Sequence, residues 1–206
     1  MPLTPAQEVR LAAFLRTSLV QGELSASRVR LWALGLTALN ECVWLLSNPE
    51  QRGALSAWVP SLVLLAGAFA SAAHLAWITA SARRNGPVGA SVGLDALLIL
   101  AVGAAAALAP LPAYHGALHH PTTPFVLIAI AASALRLSRG VVRLSTACNG
   151  LGLALLLAID ARHGWMPTVE EATLWSAAVV AAALIADAAA VRARQLAIDG
   201  ALALNT

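Results

Sequence analysis

Apolar residues run through this chain in six blocks, separated by short polar stretches that carry Gly, Pro and Asn. The blocks cover about 29–47, 58–81, 88–111, 122–137, 141–159 and 172–191. The breaks between them read SNPEQRG, ARRNGP, LPAYHGALHHPTTP, RLSRG and DARHGWMPTVEE, the residue types expected where helices end. A helix rising about 1.5 Å per residue needs roughly 20 apolar residues to cross a hydrocarbon core about 30 Å thick. All six blocks meet or approach that length, the fourth being the shortest. The pattern predicts an all-α, polytopic membrane protein with six transmembrane helices over 29–191.

Ahead of the first block, AQEVRLAAFLRTSL places Leu11, Phe14, Leu15 and Leu19 at helical spacing, largely apart from Glu8, Arg10 and Arg16. This predicts an amphipathic helix within 1–28 that lies on the cytoplasmic leaflet or packs on the mouth of the bundle. Behind the last block, Val191, Gln195, Ile198, Leu202 and Asn205 alternate four and three apart, which is heptad spacing. Two of these seam positions are polar, and Gly200 costs about 1 kcal/mol relative to alanine. Residues 192–206 therefore read as the start of a cytoplasmic linker helix of marginal coiled-coil strength, or as a frayed tail.

Composition agrees with the spans. Of 206 residues 59% are hydrophobic and 11% charged, too little polar surface for a soluble domain of this length. Every one of the thirteen basic residues is arginine, which excludes Schiff-base retinal chemistry and other lysine-dependent covalent steps. The formal net charge of +3 is no sign of nucleic-acid binding, because the arginines gather at membrane edges. Arg83 and Arg84, then Arg136, Arg139 and Arg143, then Arg192 and Arg194 mark one side. The opposite side holds Arg52 and Arg162 beside Glu50, Glu170 and Glu171, so both termini are expected in the cytoplasm. No cleavable signal peptide is expected, since Glu8, Arg10, Arg16, Glu23, Arg28 and Arg30 interrupt the first thirty residues. The six tryptophans fall mostly near span ends, and Cys42 and Cys148 read as packing residues inside apolar runs.

Polar groups at membrane depth cost free energy unless partnered, so they are the candidate functional positions. His74, Asp95 and Asn149 each sit roughly 10 Å from a cytoplasmic span end at 1.5 Å per residue, so one polar layer could join spans two, three and five. A His74–Asp95 hydrogen bond is expected across the short ARRNGP turn. The layer either fixes helix register or senses a ligand or protons through the imidazole. Asn40 and Glu41 in span one suggest a polar contact or a small-molecule pocket toward the opposite face. Asp187 lies close to the cytoplasmic exit of span six, within reach of water or an arginine. In the outer loops, His115, His119, His120 and His163 are candidates for metal ligation, against ordinary loop histidines.

No phosphate-cradling glycine loop, nucleophile–His–acid order or metal-spaced cysteine pair is present in the sequence. Stacked b-type haems need four axial ligands at membrane depth, and only His74 qualifies, so no cofactor is expected and haem is disfavoured.

The run TPFVLIAIAASALRLSRGVVRLSTACNGLGLALLLAID resembles the span-four, basic-loop, span-five region of the hexahelical membrane anchors of bacterial class III adenylate cyclases. Ala134, Leu135 and Arg136 match its ALR-like motif, and Gly150 its glycine-bearing helix. The exit VRARQLAIDGALALNT is similar to the helix that joins such anchors to their catalytic domain. The resemblance implies a homodimeric receptor domain in a bacterial inner membrane, controlling cyclic AMP synthesis by a C-terminal catalytic domain that would hold the Mg or Mn ions. It transfers no catalytic residue to this chain. On this reading Asn40, Glu41, His74, Asp95 and Asn149 sense a lipid or small-molecule ligand. Asp187, Val191, Arg194, Ile198 and Leu202 transmit the signal. The alternative is a self-contained membrane protein, either a haem- or quinone-reactive redox subunit or a small transporter.

Overall fold

A computed structural model describes residues 5–51, 55–81, 88–108, 115–120 and 122–203. Arg52, Arg83, Arg84 and Asn205, used above to read orientation and heptad spacing, lie outside them.

Among the described residues all regular structure is helical: α1 (Pro5–Ser47), α2 (Leu55–Ser81), α3 (Val88–Leu108), α4 (Phe125–Ser133), α5 (Arg139–Arg162) and α6 (Val169–Ala203). Short 3-10 turns cover Pro49–Gln51, Ala117–His119 and Ala134–Arg136. Five of the long helices are apolar enough to cross a membrane, while Phe125–Arg136 is a shorter apolar helix. Of the span expected over 122–137, Phe125–Arg136 forms this shorter apolar helix. Thr122, Thr123 and Pro124 form a turn before it. Leu137 closes it by adopting a left-handed backbone, φ 52°, that leucine rarely accepts. Its N–H bonds to the Ala134 carbonyl at 3.0 Å.

Helix α1 runs unbroken through residue 28, where the sequence divides a surface helix from the first span. The surface helix and the first span are one rod, α1, about 65 Å long at 1.5 Å per residue. Its buried stripe lies apart from Phe14 of the amphipathic pattern. Phe14 is exposed, whereas Gly22, Glu23, Ala26, Ser27 and Arg30 are buried. Apolar side chains face outward elsewhere too: Trp32, Phe69, Leu151 and Ile185 are all more than 60% exposed. Ser61, Ser71, Ser91, Ser133 and Ser145 are each at or below 1%. Small and polar inside with large apolar outside is the arrangement lipid favours, because the exterior gains nothing by hiding hydrocarbon.

Helix α1 packs chiefly on α2, and α3 on α5, while α4 bridges α5 and α6. A compact apolar core of Val126, Ile130, Val142, Ala186 and Ala190 joins those last three helices. The ends are well specified. Thr168 and Glu171 form a reciprocal capping box at the start of α6, with Thr168 N–H donating to Glu171 Oε2 at 2.8 Å and Glu171 N–H to Thr168 Oγ1 at 3.2 Å. At the end of α5, Trp165 N–H bonds to the Asp160 carbonyl at 3.0 Å, with Gly164 supplying a positive φ of 82°.

Candidate functional site: a buried ionic cluster and the exit of α6

Glu23 and Arg30 stand two turns apart on the inner stripe of α1, and Ser91 and Asp95 one turn apart on α3. Arg136 enters from the 3-10 turn after α4 and is fully buried. Its Nε donates to Glu23 Oε2 at 2.6 Å and its Nη2 to Glu23 Oε1 at 3.4 Å. The same Nη2 donates to the Ser91 hydroxyl and lies 3.7 Å from Asp95 Oδ2. Arg30 pairs through Nε with Asp95 and donates from Nη2 to the Ser91 carbonyl at 3.2 Å. Two arginines and two carboxylates thus cancel in formal charge at a largely buried site. Removing one member leaves a bare buried charge, so the cluster behaves as a unit.

Close approach at this level depends on Gly22. A β-carbon there would overlap the Leu135 carbonyl, with the carbonyl carbon at 2.8 Å. The backbone of α1 therefore touches the turn that carries Arg136. The hydrogen bonds of the cluster run from α1 to α3 and to the end of α4, three elements distant in sequence.

The expected polar layer forms only in part. Asp95 is engaged by Arg30, and the expected His74–Asp95 hydrogen bond is not made. Both His74 ring nitrogens are buried with no hydrogen-bond partner, and the ring lies against Trp77 with centroids 5.9 Å apart. Asn149 bonds within its own helix, to the Ser145 carbonyl at 2.9 Å and the Ser145 hydroxyl at 3.3 Å. Asn40 is exposed and Glu41 half-buried toward the C-terminal end of α1, apart from the cluster.

Asp187 does meet an arginine. Arg139, in the first turn of α5, donates from Nη2 to Asp187 Oδ2 at 2.7 Å and from Nε to Oδ1 at 2.9 Å. Beyond this clamp α6 runs unbroken past Val191, Arg194 and Ile198, with Leu202 in its last turn. A cavity of about 550 Å³ lies between Arg139 and this part of α6.

At the other end of the bundle, a cavity of about 170 Å³ is lined by His115, His119, Asp160, Trp165, Met166 and Glu171. His119 Nε2 is 2.9 Å from Glu171 Oε1. His120 Nδ1 is 2.7 Å from the Thr122 hydroxyl. Buried Asp160 accepts the Ala117 N–H at 2.5 Å. His163 rests against Trp165 at 5.7 Å between ring centroids. His119, His120 and His163 thus have separate neighbours, and among the described residues no group of three His, Cys, Asp or Glu is placed to hold a metal.

Glu23, Arg30, Ser91 and Arg136 were not singled out by sequence as one site. The signals were there: Glu23 and Arg30 repeat at seven, Ser91 and Asp95 at four, and Arg136 sits inside an apolar block. Which of these faces met was decided by tertiary packing.

The fold and its buried ionic cluster have the build of a polytopic helical membrane protein. In comparisons with known proteins, no family model, no curated protein and no solved structure matches the chain.

Proposed function

We propose that this chain is the membrane anchor and receptor domain of a cyclase-type signalling protein. It acts as a homodimer in a bacterial inner membrane with both termini in the cytoplasm. It regulates cyclic AMP synthesis by a catalytic domain C-terminal to α6. The observation that carries the proposal is the continuity of α6, one rod of about 52 Å from the capping box at Thr168 past the Arg139 clamp to Ala203. A rigid helix of that length can pass a tilt or rotation at its bundle end to whatever follows it. The ionic cluster supports the same reading, since it couples α1 to the 3-10 turn of Ala134–Arg136, against which α6 also packs. A ligand shifts such an equilibrium only if it binds the two packings unequally.

The test joins the chain in frame to a class III cyclase catalytic domain and measures cyclic AMP formation in membranes. Arg139→Asp should change output at least about twofold, and the exchanged pair Arg139→Asp with Asp187→Arg should return it toward the starting value. Equal output from all three proteins, and from a version carrying six unrelated spans, would reduce the domain to a passive anchor.

A further inference from the structure

Helix α6 enters the bundle by one face. Val179, Ala183, Ala186 and Ala190 meet the apolar core that contains Val126, Ile130 and Val142. On the opposite face Leu174, Ala177, Ala181, Leu184, Ala188 and Val191 are all exposed. They alternate three and four apart and continue in register into Gln195, Ile198 and Leu202. One a/d stripe therefore follows α6 for about four heptads, roughly 42 Å at 1.5 Å per residue. In this register the residues that pack inside the subunit occupy positions c and f, behind the stripe.

Exposure alone would assign the stripe to lipid, and α1 supplies the comparison. There Val29, Trp32, Leu36, Leu39, Val43 and Leu46 are also exposed at heptad spacing, and every one of them is large. The stripe of α6 instead carries alanine at 177, 181 and 188. Small residues let backbones approach closely in a membrane, where packing rather than transfer from water drives helix association.

Past this stretch the flanks are charged in a self-complementary order. With Gln195 at position a, Asp187 and Arg194 occupy g, and Arg192 and Asp199 occupy e. In a parallel pair each g residue faces the e residue five positions further along the other helix. Asp187 then faces the partner's Arg192, and Arg194 faces the partner's Asp199. Both pairs are opposite in charge, and two-fold symmetry makes each of them twice. Copies of one chain in one membrane share an orientation, so the parallel arrangement is the one open to them. Asp187 is already held by Arg139 of its own subunit, which leaves Arg194 and Asp199 as the selective pair. Gln195 provides a polar a position of the kind that fixes register, and its Nε2 donates to Asp199 Oδ1 at 2.9 Å.

We propose that a second copy of this chain docks in parallel on the outer face of α6, with Ala177, Ala181 and Ala188 in close contact and Arg194 paired to the partner's Asp199. This rests on the homodimer of the proposed function and gives that dimer its face and its register.

The experiment is cysteine cross-linking of the full chain in membranes, with Cys42 and Cys148 replaced by serine. On oxidation, Ala177→Cys and Ala188→Cys should give disulfide-linked dimers, and Leu36→Cys on the exposed stripe of α1 should give at least about fivefold less. Arg194→Asp sets two carboxylates against each other in both symmetric pairs. It should lower cross-linking through Ala188→Cys about threefold, the scale of two exposed ion pairs. Adding Asp199→Arg should restore the yield. Both side chains are exposed, so neither change disturbs the fold of one subunit. Cross-linking at Leu36→Cys that equals or exceeds that of the α6 positions overturns the inference, as does a yield indifferent to the charge at 194. The outcome is separable from the signalling role. Cross-links along α6 in a cyclase fusion whose output ignores Arg139→Asp keep the dimer face and remove the receptor function. Regulated output without those cross-links removes the face alone.

Discussion

Arg136 and Glu23 lie 113 residues apart in sequence and are joined by two buried hydrogen bonds, the shorter 2.6 Å. This contact fastens the short fourth helix to the long first one. Loss of Arg136 strands the buried Glu23 carboxylate, and loss of Glu23 leaves Arg136 with only the Ser91 hydroxyl and Asp95 Oδ2 at 3.7 Å. Arg136→Met or Glu23→Gln alone should therefore cost about 3–5 kcal/mol. The double variant Glu23→Leu with Arg136→Met should recover much of that loss. Thermal unfolding in detergent reads all three. A double variant as unstable as the sum of the singles would mean that Ser91 and Asp95, not the pair, dominate the coupling.

Gly22 is the second feature on which this junction rests, since any β-carbon would meet the Leu135 carbonyl. Backbone cannot swing aside as a side-chain tip can. Gly22→Ala should destabilise the bundle by about 1–3 kcal/mol. Gly103→Ala faces only the movable end of Leu156, whose Cδ1 would lie 2.6 Å away, and should cost less. Gly35 has nothing within 4 Å, so Gly35→Ala should be neutral or stabilise by up to about 1 kcal/mol through helix propensity. The ranking of the three melting temperatures checks the packing; Gly22→Ala ranking with Gly35→Ala would contradict it.

How much of this was legible beforehand follows from what lipid does to a pattern. The apolar blocks near 58–81, 141–159 and 172–191 fall inside α2, α5 and α6, because block length is fixed by the membrane and needs no partner to be read. The Asp187 contact with an arginine was likewise foreseeable, being local to one end of the bundle. The N-terminal helix follows the lipid rule rather than the aqueous one. In water an apolar stripe marks the buried face, but in α1 the buried face carries Glu23, Ser27 and Arg30 while Phe14 and Trp32 stay outside. Asp95 was singled out, yet its partner proved to be Arg30 rather than His74. Choosing between them requires knowing which helix faces which, and no periodicity within one helix encodes that.

His120 contributes one pH dependence near neutrality. Burial lowers its pKa below 6.5, and nearby Asp160 opposes the shift without cancelling it. The unfolded chain therefore binds a proton at a pH where the folded chain still resists it. Stability contributed by the neutral ring is fully present above about 6.5, and declines as pH falls through the depressed folded value. Melting temperature should drop on acidification below about pH 6.5, and His120→Gln should flatten that slope while keeping a polar group near Thr122. An unchanged slope in the variant would move the titration to another group.

The Arg139–Asp187 clamp is partly exposed, with side chains 55% and 26% accessible, so its contribution to overall stability should be small and weakened by salt. Its effect should appear in geometry instead, at the point where α6 leaves α5. With Cys42 and Cys148 replaced by serine, spin labels at exposed Ala13 of α1 and Leu196 of α6 report the separation of the two helix extensions. The native pair should give a narrow distance distribution at low salt. Arg139→Asp places two carboxylates face to face and should shift or broaden it, with little change in melting temperature. Exchanging the charges, Arg139→Asp with Asp187→Arg, should narrow it again, and high salt should blur all three toward one another. Identical distributions in native and Arg139→Asp protein would mean that packing of Ala186 and Ala190 on Val126, Ile130 and Val142 alone directs the exit of α6.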